Sequence, residues 1–248
     1  KLPHRGPATH RQEGVWEQTQ LLKSPELVAL APTPLRFNSR RMIYKCMKDT
    51  FSANFPSQGF IQGTLEPEDL VPIKKEIDSI QKDFNSAKIN DLGNASNLEN
   101  EFYLKDCLEH IEHLLNPLCI KYCEMFAFGD RSKKEFKLTS AWVNYQRKHE
   151  YFGTHTHNGL FSFALWIKVP YTIEQERQHV DYANRNIQRL PAFHFHYTDA
   201  MGTIRQQIIP VDKTYENKLI LFPGNMNHSV SPFYTSDEYR ITVSGNIE

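Results

Sequence analysis

Three histidines and one arginine in the C-terminal half have the types and spacing of a metal site beside an anion-binding group. His155 and His157 lie two positions apart in YFGTHTHNGLFSFALW, and side chains with that spacing on a strand point to the same face. His228 follows in LFPGNMNHSV, and Arg240 comes twelve positions later, at the start of a strand-like segment. Neutral imidazole is the commonest metal ligand. The pattern therefore predicts a metal centre formed by these three histidines.

Arg240 is the second residue of a strand-like segment, Tyr239–Ile247, whose alternation places four polar side chains on one face: Arg240, Thr242, Ser244 and Asn246. A buried guanidinium without a partner is very costly, so this arginine needs an acceptor. A bound dicarboxylate would supply one, because the planar fork of arginine pairs with a carboxylate through two hydrogen bonds. The alternative is a structural salt bridge to Asp237 or Glu238.

The elements that must position these residues are mostly strands. Six segments have strand character: Phe136–Gln146, Leu160–Val169, Ala192–Thr198, Thr203–Ile209, Lys218–Phe222 and Tyr239–Ile247. Because no helical period separates them, they indicate an antiparallel sandwich or jelly roll rather than a parallel α/β sheet. The polar stretch Tyr171–Leu190 interrupts this series and predicts an inserted loop or short helix at the entrance of the pocket, together with the loop Gly224–Asn227.

Two helical stretches precede the strands. An apolar stripe at helical spacing begins after Glu66, formed by Ile73, Ile77, Ile80 and Phe84. A second stretch runs from about 104 to 126 and contains Pro117, where a break or kink is expected. We expect both helices to brace the outside of a sheet, so the predicted fold class is mainly β with bracing helices, an α+β arrangement.

Composition narrows the class of protein. Lysine plus arginine (29) balances aspartate plus glutamate (29), which gives no support for a nucleic-acid polymer or a membrane surface as partner. The four cysteines are too few and too clustered for a disulfide framework. No apolar run is long enough to span a bilayer, and the start of the chain does not resemble a signal peptide. These features predict a soluble, cytoplasmic protein.

Residues 1–41 differ from the rest of the chain. They are rich in proline and basic residues and show no regular period, whereas a more regular stretch opens at Met42. We predict an N-terminal extension over 1–41, either non-native or an arm that wraps the domain, followed by a single domain over 42–248 with its helical brace at about 66–128 and its jelly roll at about 136–248.

Two further groups of histidine and cysteine suggest metal less strongly. Cys119 and Cys123 are one helical turn apart, which is typical of buried thiols on a helix face more than of a zinc site. His194 and His196 form a second H-x-H pair, but alternation places them opposite the aromatic residues of FHFHYTD. We therefore expect that pair on a solvated strand face.

The order of motifs resembles a known family. His-x-(acid or His), then His, then Arg-x-(Ser/Thr), with FPG before the last histidine, is similar to the Fe(II)- and 2-oxoglutarate-dependent oxygenases. The likeness is closest to oxygenase-like sequences common in bacteriophages and marine microbes, through NYQ, HTHNG, LFPG, NHSVSPF and YRITVSGNI, and covers about 142–247. The segment ENEFYLKDCLEHIEHLLNPL resembles the same family more weakly. A phage-encoded protein would act in the host cytoplasm.

The resemblance implies a fold, a reaction and roles. The fold would be a double-stranded β-helix, the cupin-like jelly roll, with Fe(II) at one mouth. The three histidines would bind the metal, Arg240 would bind the distal carboxylate of 2-oxoglutarate, and Thr242 would assist through its hydroxyl. The reaction would consume O₂ and 2-oxoglutarate, release succinate and CO₂, and hydroxylate a small molecule or peptidyl residue. One departure stands out: His157 occupies the place where this superfamily normally has an aspartate, and Glu150 is an acid at the wrong spacing.

Other side chains are predicted to line the same pocket. Asn144 shares a strand face with Trp142, and we expect it to hydrogen-bond the cosubstrate, with Tyr145 as the alternative if the strand register is reversed. Trp166 either lines the pocket or fills the core.

Two other functions fit some of these residues. A cupin-like metal-binding jelly roll without 2-oxoglutarate chemistry would use the histidines but has no need of a dicarboxylate anchor at Arg240. An interaction protein with a purely structural metal would have a closed coordination sphere. The sequence does not indicate the substrate or the oligomeric state.

Overall fold

A computed structural model describes residues 47–54, 59–84, 97–130, 132, 135–179, 190–199 and 201–248. Eleven strands are present in that part of the chain, numbered here in chain order: β1 Met47–Asn54, β2 Gly59–Leu65, β3 Glu101–Tyr103, β4 Leu138–Gln146, β5 Phe152–His155, β6 Phe161–Lys168, β7 Ala192–Thr198, β8 Ile204–Pro210, β9 Lys218–Pro223, β10 His228–Val230 and β11 Arg240–Ile247. Three α-helices accompany them: α1 Val71–Lys82, α2 Leu108–Phe126 and α3 Ile173–Gln178. The predicted extension over 1–41 lies outside the described residues.

The strands form two antiparallel sheets. The larger sheet has seven strands in the order β1-β2-β9-β6-β11-β4-β3, and the smaller has four in the order β5-β10-β7-β8. From β4 onward, successive strands alternate between the two sheets, except that β7 and β8 are consecutive in the smaller one: β5, β7, β8 and β10 join the smaller sheet, and β4, β6, β9 and β11 form the centre of the larger one. This is the double-stranded β-helix, so the predicted jelly roll is confirmed.

Helices α1 and α2 pack on the outer face of the larger sheet, as predicted. Apolar side chains of both helices form one buried cluster with residues of β2, β4, β6, β9 and β11. The carboxylate of Glu76 on α1 accepts hydrogen bonds from the backbone N–H groups of Lys105, Asp106 and Cys107, which connects α1 to the start of α2. Helix α2 is continuous through Pro117, so the helix does not break there.

The inner faces of the two sheets enclose a second, aromatic cluster. Phe193 and Phe195 of the smaller sheet meet Phe222 of the larger one, with ring centroids 5.7 and 5.0 Å from it. Trp166 and Ile220 also belong to this cluster. This cluster fills much of the space between the sheets, and Phe193, Phe222 and Trp166 also border the cavity that remains beside it.

Two secondary predictions are resolved by burial. Cys119 and Cys123 are buried on α2 and belong to the helix–sheet core, as the packing interpretation predicts. The expectation of a solvated face for the second H-x-H pair is wrong for His194, which is buried, and His196 is half-buried. Their Nε2 atoms lie 2.7 and 2.8 Å from the hydroxyls of Ser231 and Ser229.

None of the described helices is long and apolar enough to cross a membrane.

Candidate functional site

The three predicted histidines come together where β5 and β10 pair. His155 is the last residue of β5 and lies opposite His228, the first residue of β10, while His157 follows two positions after the end of β5. The possible ligand atoms of the three residues all lie within 4.8 Å of one another. Their rings are in contact, with centroids 4.2 Å apart for His155 and His228 and 5.0 Å for each pair that includes His157. No carboxylate joins this cluster in the described part of the chain.

Backbone carbonyls fix the orientation of two of these rings. Nδ1 of His155 lies 2.8 Å from the carbonyl oxygen of Gly153, and Nδ1 of His228 lies 2.8 Å from that of Met226. A carbonyl can only accept, so each Nδ1 carries the proton and each Nε2 offers its lone pair. Hydrogen bonds of this kind orient the ligands of metal sites in proteins.

Burial keeps the histidines neutral. Desolvation, and to a lesser extent the neighbouring His155, lowers the pKa of His157 to about 4. Burial also lowers the pKa of His155, and it lowers that of His228 well below the usual range, with smaller contributions from the other two histidines. Because metal competes with protons for the same lone pairs, depressed pKa values leave the ligands available at neutral pH.

His157 is not on the strand that the H-x-H spacing predicts, because β5 ends at His155. Its backbone N–H donates instead to the carbonyl of Gly224 at 2.8 Å. A Cβ at Gly224 would lie 2.7 Å from the carbonyl oxygen of Gly159 and 3.2 Å from that of His157. The glycine of LFPG therefore lets the turn after β9 approach the loop that carries the third histidine.

Arg240 is almost completely buried, at 1% exposure, and its guanidinium is held by neutral groups. Its Nη1 donates to the hydroxyl of Tyr171 at 2.6 Å, and its Nη2 donates to Oε1 of Gln146 at 2.5 Å and to the carbonyl of Ser231 at 2.9 Å. The ring of Phe233 lies beneath the guanidinium, 5.5 Å from Cζ to the centroid. The positive charge thus has hydrogen-bond acceptors but no compensating anion among the described residues.

The alternative salt bridge from Arg240 is wrong. Asp237 pairs with Lys148 at 2.6 Å, and Glu238 pairs with Lys168. Both acids are exposed, so they can use surface lysines and need not enter the core.

Gln146 and Tyr171 were not identified from the sequence as partners of Arg240. The register could have indicated Gln146, because it lies directly opposite Arg240 in the β4–β11 pair. Tyr171 lies just after β6, and its ring stacks on Phe233 with centroids 4.7 Å apart. Nothing in its sequence neighbourhood distinguishes it from other buried tyrosines.

Asn144 and Thr242 face each other across β4 and β11, and both line the cavity beside the histidines. Nδ2 of Asn144 lies 3.5 Å from Oγ1 of Thr242. Tyr145 points to the opposite face of β4, where its hydroxyl donates to the carbonyl of Ile77 on α1 at 2.6 Å. The alternative role of Tyr145 in the pocket is therefore wrong, because the helical brace, not the cavity, covers its side of the strand.

Trp166 serves both of the purposes considered for it. It lines the cavity and also packs on Phe193 and Tyr215, with ring centroids 6.1 and 5.2 Å away. Trp142 lines the same cavity, and its ring lies 5.4 Å from that of His157.

The cavity has a volume of about 300 Å³ and opens between the inner faces of the two sheets. Its lining contains one basic side chain, Arg240, and one acidic side chain, Glu101 of β3, among the described residues. Neither 171–179 nor 224–227 contributes to this lining, so the described part of the segment Tyr171–Leu190 and the loop Gly224–Asn227 do not border the cavity, while 180–189 lie outside the described residues. Glu176 of α3 instead accepts from the N–H groups of Tyr234 and Thr235, which anchors that helix to the loop before β11.

Glu101 was missed by the sequence analysis, because a single acid in a short segment carries no periodic signal. It is only 4% exposed, and its Oε2 has no hydrogen-bond partner among the described residues. Desolvation by burial raises the pKa of this carboxyl to about 8. At neutral pH most molecules therefore carry a protonated, uncharged Glu101.

This buried acid predicts a specific pH dependence of stability. Above the usual glutamate pKa the unfolded chain releases the proton while the folded chain keeps it, so stability is lost as pH rises from about 4.5 toward about 8. Relative to Glu101→Gln, wild type should lose a few kcal/mol across this range, with about 5 kcal/mol as the upper bound. Denaturant unfolding of both proteins at several pH values checks this, and a difference that does not change with pH would contradict it.

The donor set suits a metal that accepts nitrogen ligands and keeps open positions. Three neutral imidazoles occupy one side of the cluster, and the other side faces the cavity, where exogenous oxygen ligands have access. The residues present therefore fit Fe(II) held by His155, His157 and His228. An anionic ligand that reaches from this cluster to Arg240 would be enclosed by side chains that already line the cavity.

Comparisons with known proteins find a family model and several solved structures to which the chain is similar. Residues 140–246 match a family model described as "Putative 2OG-Fe(II) oxygenase". Among solved structures, the chain is similar to a prolyl-4-hydroxylase from Pseudomonas putida, with 11% identity, a TM-score of 0.48 and coverage of 76% of this chain and 91% of that one. It is also similar to an oxidoreductase of the 2OG-Fe(II) oxygenase family from Burkholderia pseudomallei, with 13% identity, a TM-score of 0.41 and coverage of 70% and 76%. A search of curated protein sequences found no match.

The family match confirms the predicted resemblance for the region that contains the jelly roll and all three histidines. With it, the predicted class of enzyme, an oxygenase that uses Fe(II), 2-oxoglutarate and O₂, is confirmed. The resemblance to phage and marine sequences in particular stays a prediction.

Proposed function

We propose that this chain is an Fe(II)- and 2-oxoglutarate-dependent dioxygenase in which His155, His157 and His228 hold the metal and Arg240 binds the distal carboxylate of the cosubstrate. The observation that carries the proposal is the buried guanidinium of Arg240, which lines the same cavity as the histidines and has only neutral partners. A carboxylate is the group that such a site lacks.

The neighbours of Arg240 have a positioning role in this proposal. Gln146 and Tyr171 hold the guanidinium in one orientation before the cosubstrate arrives, so little ordering is needed on binding. Thr242 lies two residues after Arg240 on β11, and Asn144 lies two residues before Gln146 on β4. Both line the cavity and can hydrogen-bond the cosubstrate between Arg240 and the metal. The donors for such a contact are Nδ2 of Asn144 and the hydroxyl of Thr242, because 2-oxoglutarate offers only acceptors.

The metal, when bound, supplies the oxidative chemistry, in which O₂ and 2-oxoglutarate are consumed, succinate and CO₂ are released, and a C–H bond of the substrate is hydroxylated. The protein's own contribution is to orient the ligands and to exclude water. Aromatic side chains exclude water from the metal ligands: the ring of Phe193 stacks on that of His228, with centroids 5.3 Å apart, and covers one face of it.

The substrate belongs to the small-molecule or peptide class that this enzyme family implies. A cytoplasmic location and action on a small molecule or peptidyl residue there, in a host cell if the chain is phage-encoded, are part of the proposal. The cupin-like alternative uses the same histidines but gives no account of the buried arginine in the cavity.

Anaerobic titration of Fe(II)-loaded protein with 2-oxoglutarate tests the proposal. Chelation of the metal by the keto acid should produce a weak visible charge-transfer band that saturates with added cosubstrate. Glutarate, which has both carboxylates but no keto group, is the matched control and should compete without producing the band. Bound metal without any band would exclude 2-oxoglutarate as cosubstrate and favour the cupin-like alternative.

A further inference from the structure

We propose that the cavity also contains a subsite, centred on Glu101, for a cationic nitrogen of the substrate, either a primary ammonium or a guanidinium. The inference rests on the proposed function, because it assigns the substrate class of the same cavity. It concerns the opposite end of that cavity from Arg240, and it can be tested separately.

Glu101 lies where a substrate group could reach it. It is on β3, the last strand at one side of the larger sheet, and pairs directly with Asn144 of β4. Arg240 pairs with Gln146 on the same strand, so the two charged residues are two strands apart and two residues displaced. Standard sheet spacings give a separation of roughly 12 Å between their Cα atoms. Both ends of the cavity can therefore be occupied at once.

The cavity lining has hydrogen-bond acceptors that lack donors, and one of them is on Asn144, directly opposite Glu101. Oε2 of Glu101, Oδ1 of Asn144 and Oδ1 of Asn246 are all buried without a partner among the described residues. All three residues line the cavity. A buried acceptor without a donor costs free energy, and the two on the directly paired residues Glu101 and Asn144 indicate that a ligand with N–H groups completes this part of the cavity.

Charge and aromatic content favour a cation over a neutral donor. Glu101 is the sole acidic residue of the described lining, and no basic side chain of that lining other than Arg240 could neutralise it. Trp142 and Tyr103, which face each other across β4 and β3, line the cavity next to it. Aromatic faces attract ammonium and guanidinium groups, whereas a hydroxyl gains little from them. A carboxyl with two aromatic side chains on neighbouring positions of the same strand pair is suited to bind a cation.

A purely structural role explains these contacts less well. A structural carboxyl would donate its proton to a nearby acceptor, yet Oδ1 of Asn144, on the residue directly opposite, has no partner. Glu76 shows what a structural buried glutamate looks like in this protein, because its two oxygens accept three backbone N–H bonds. Among the described residues, no backbone N–H donates to Glu101.

Binding of two matched pairs of probes to the Fe(II)-loaded protein with 2-oxoglutarate, under anaerobic conditions, tests the subsite by calorimetry. The first pair is Nα-acetyl-lysine methylamide and its norleucine analogue, which lacks the ammonium. The second is Nα-acetyl-arginine methylamide and its citrulline analogue, in which a neutral urea replaces the guanidinium. Wild type should bind at least one cationic probe about tenfold or more tightly than its neutral partner, and the preferred pair identifies the group.

Glu101→Gln keeps the shape of the side chain and removes its ability to ionise. In this variant the preference for the cationic probe should fall to about twofold or less. Glu124→Gln, which changes an exposed acid on α2, is the control and should keep the wild-type preference. Equal affinity for cationic and neutral probes, no binding of either cationic probe, or a preference that survives in Glu101→Gln would each overturn the inference.

Proton release provides a second readout. A bound cation favours the ionised carboxylate, so cation binding at pH 7 should release a proton from Glu101, seen as a dependence of the binding enthalpy on the buffer. The other titratable groups that line the cavity are Arg240, Tyr103 and the three histidines, and none of them is removed in Glu101→Gln. The variant should therefore lose this proton release, and a release that persists would overturn the role of Glu101.

The two proposals fail in different ways. A charge-transfer band in both wild type and Glu101→Gln, without any preference for a cation, would contradict the subsite and leave the oxygenase intact. A preference for a cation without the band would contradict the 2-oxoglutarate chemistry and leave a cation-binding cavity.

Discussion

Replacing Arg240 by alanine should raise the dissociation constant for 2-oxoglutarate by about 100- to 1,000-fold, because truncating one partner of a buried, hydrogen-bonded charge pair costs about 2–5 kcal/mol. Iron binding should change little, since Arg240 is not in contact with the histidine cluster. Anaerobic titration of the charge-transfer band in the variant gives the dissociation constant directly. The same experiment in wild type supplies the reference.

Two control variants separate cosubstrate binding from stability. Arg240→Lys keeps the charge but lacks the planar fork, so it should recover only part of the affinity. Arg147→Ala removes an exposed arginine that pairs with Glu99, and it should leave the dissociation constant unchanged. A folded Arg240→Ala protein with wild-type affinity for 2-oxoglutarate would contradict the assignment of Arg240 as the anchor.

Alternation along each strand predicts which side chains share a face, and for this reason the sequence indicated most of the residues that line the cavity. Arg240, Thr242 and Asn144 lie on one side of β11 and β4, and Tyr145 lies on the other, as a period of two requires. Which side faces the cavity depends on where α1 and α2 pack, and that is a tertiary fact. Tyr145 could therefore be excluded only after the helices were placed.

The residues that sequence reasoning missed are those whose role comes from pairing between distant segments. Glu101 acquires its role from β3, a strand of three residues that joins the sheet beside β4. Gln146 and Tyr171 reach Arg240 from segments 94 and 69 positions away. Local periodicity does not contain such information. The short strand β10 of the metal centre was also missed, because a segment of three residues does not establish a period.

The third histidine defines the electrostatics of the metal centre. A carboxylate in its place would neutralise one unit of the metal's charge, whereas three imidazoles neutralise none. The described part of the chain brings no acid into the cluster, and Glu150 is used elsewhere, since its carboxylate accepts from the N–H of Arg147 at 2.6 Å. The bound cosubstrate would therefore be the first anion to reach the metal, which strengthens the coupling expected between metal and 2-oxoglutarate binding.

Replacing His155 by alanine should lower the affinity for Fe(II) by at least about 100-fold, because even the loss of an outer partner of a metal ligand costs about 10- to 100-fold. The protein should remain folded, since this side chain is only partly buried and lies at the end of β5. Metal content after dialysis against Fe(II) under anaerobic conditions, followed by titration with 2-oxoglutarate, measures both effects. Neither bound iron nor the charge-transfer band should be detected in the variant.

The chain contains its own matched control for this experiment. His196 belongs to the other H-x-H pair, is also half-buried, and contacts the hydroxyl of Ser229 rather than the cluster. His196→Ala should therefore keep wild-type metal content and cosubstrate affinity. Because both variants remove one imidazole from an H-x-H motif, only the position in the fold distinguishes them. Iron retained by His155→Ala, or lost from His196→Ala, would show that the metal is bound by a different set of histidines.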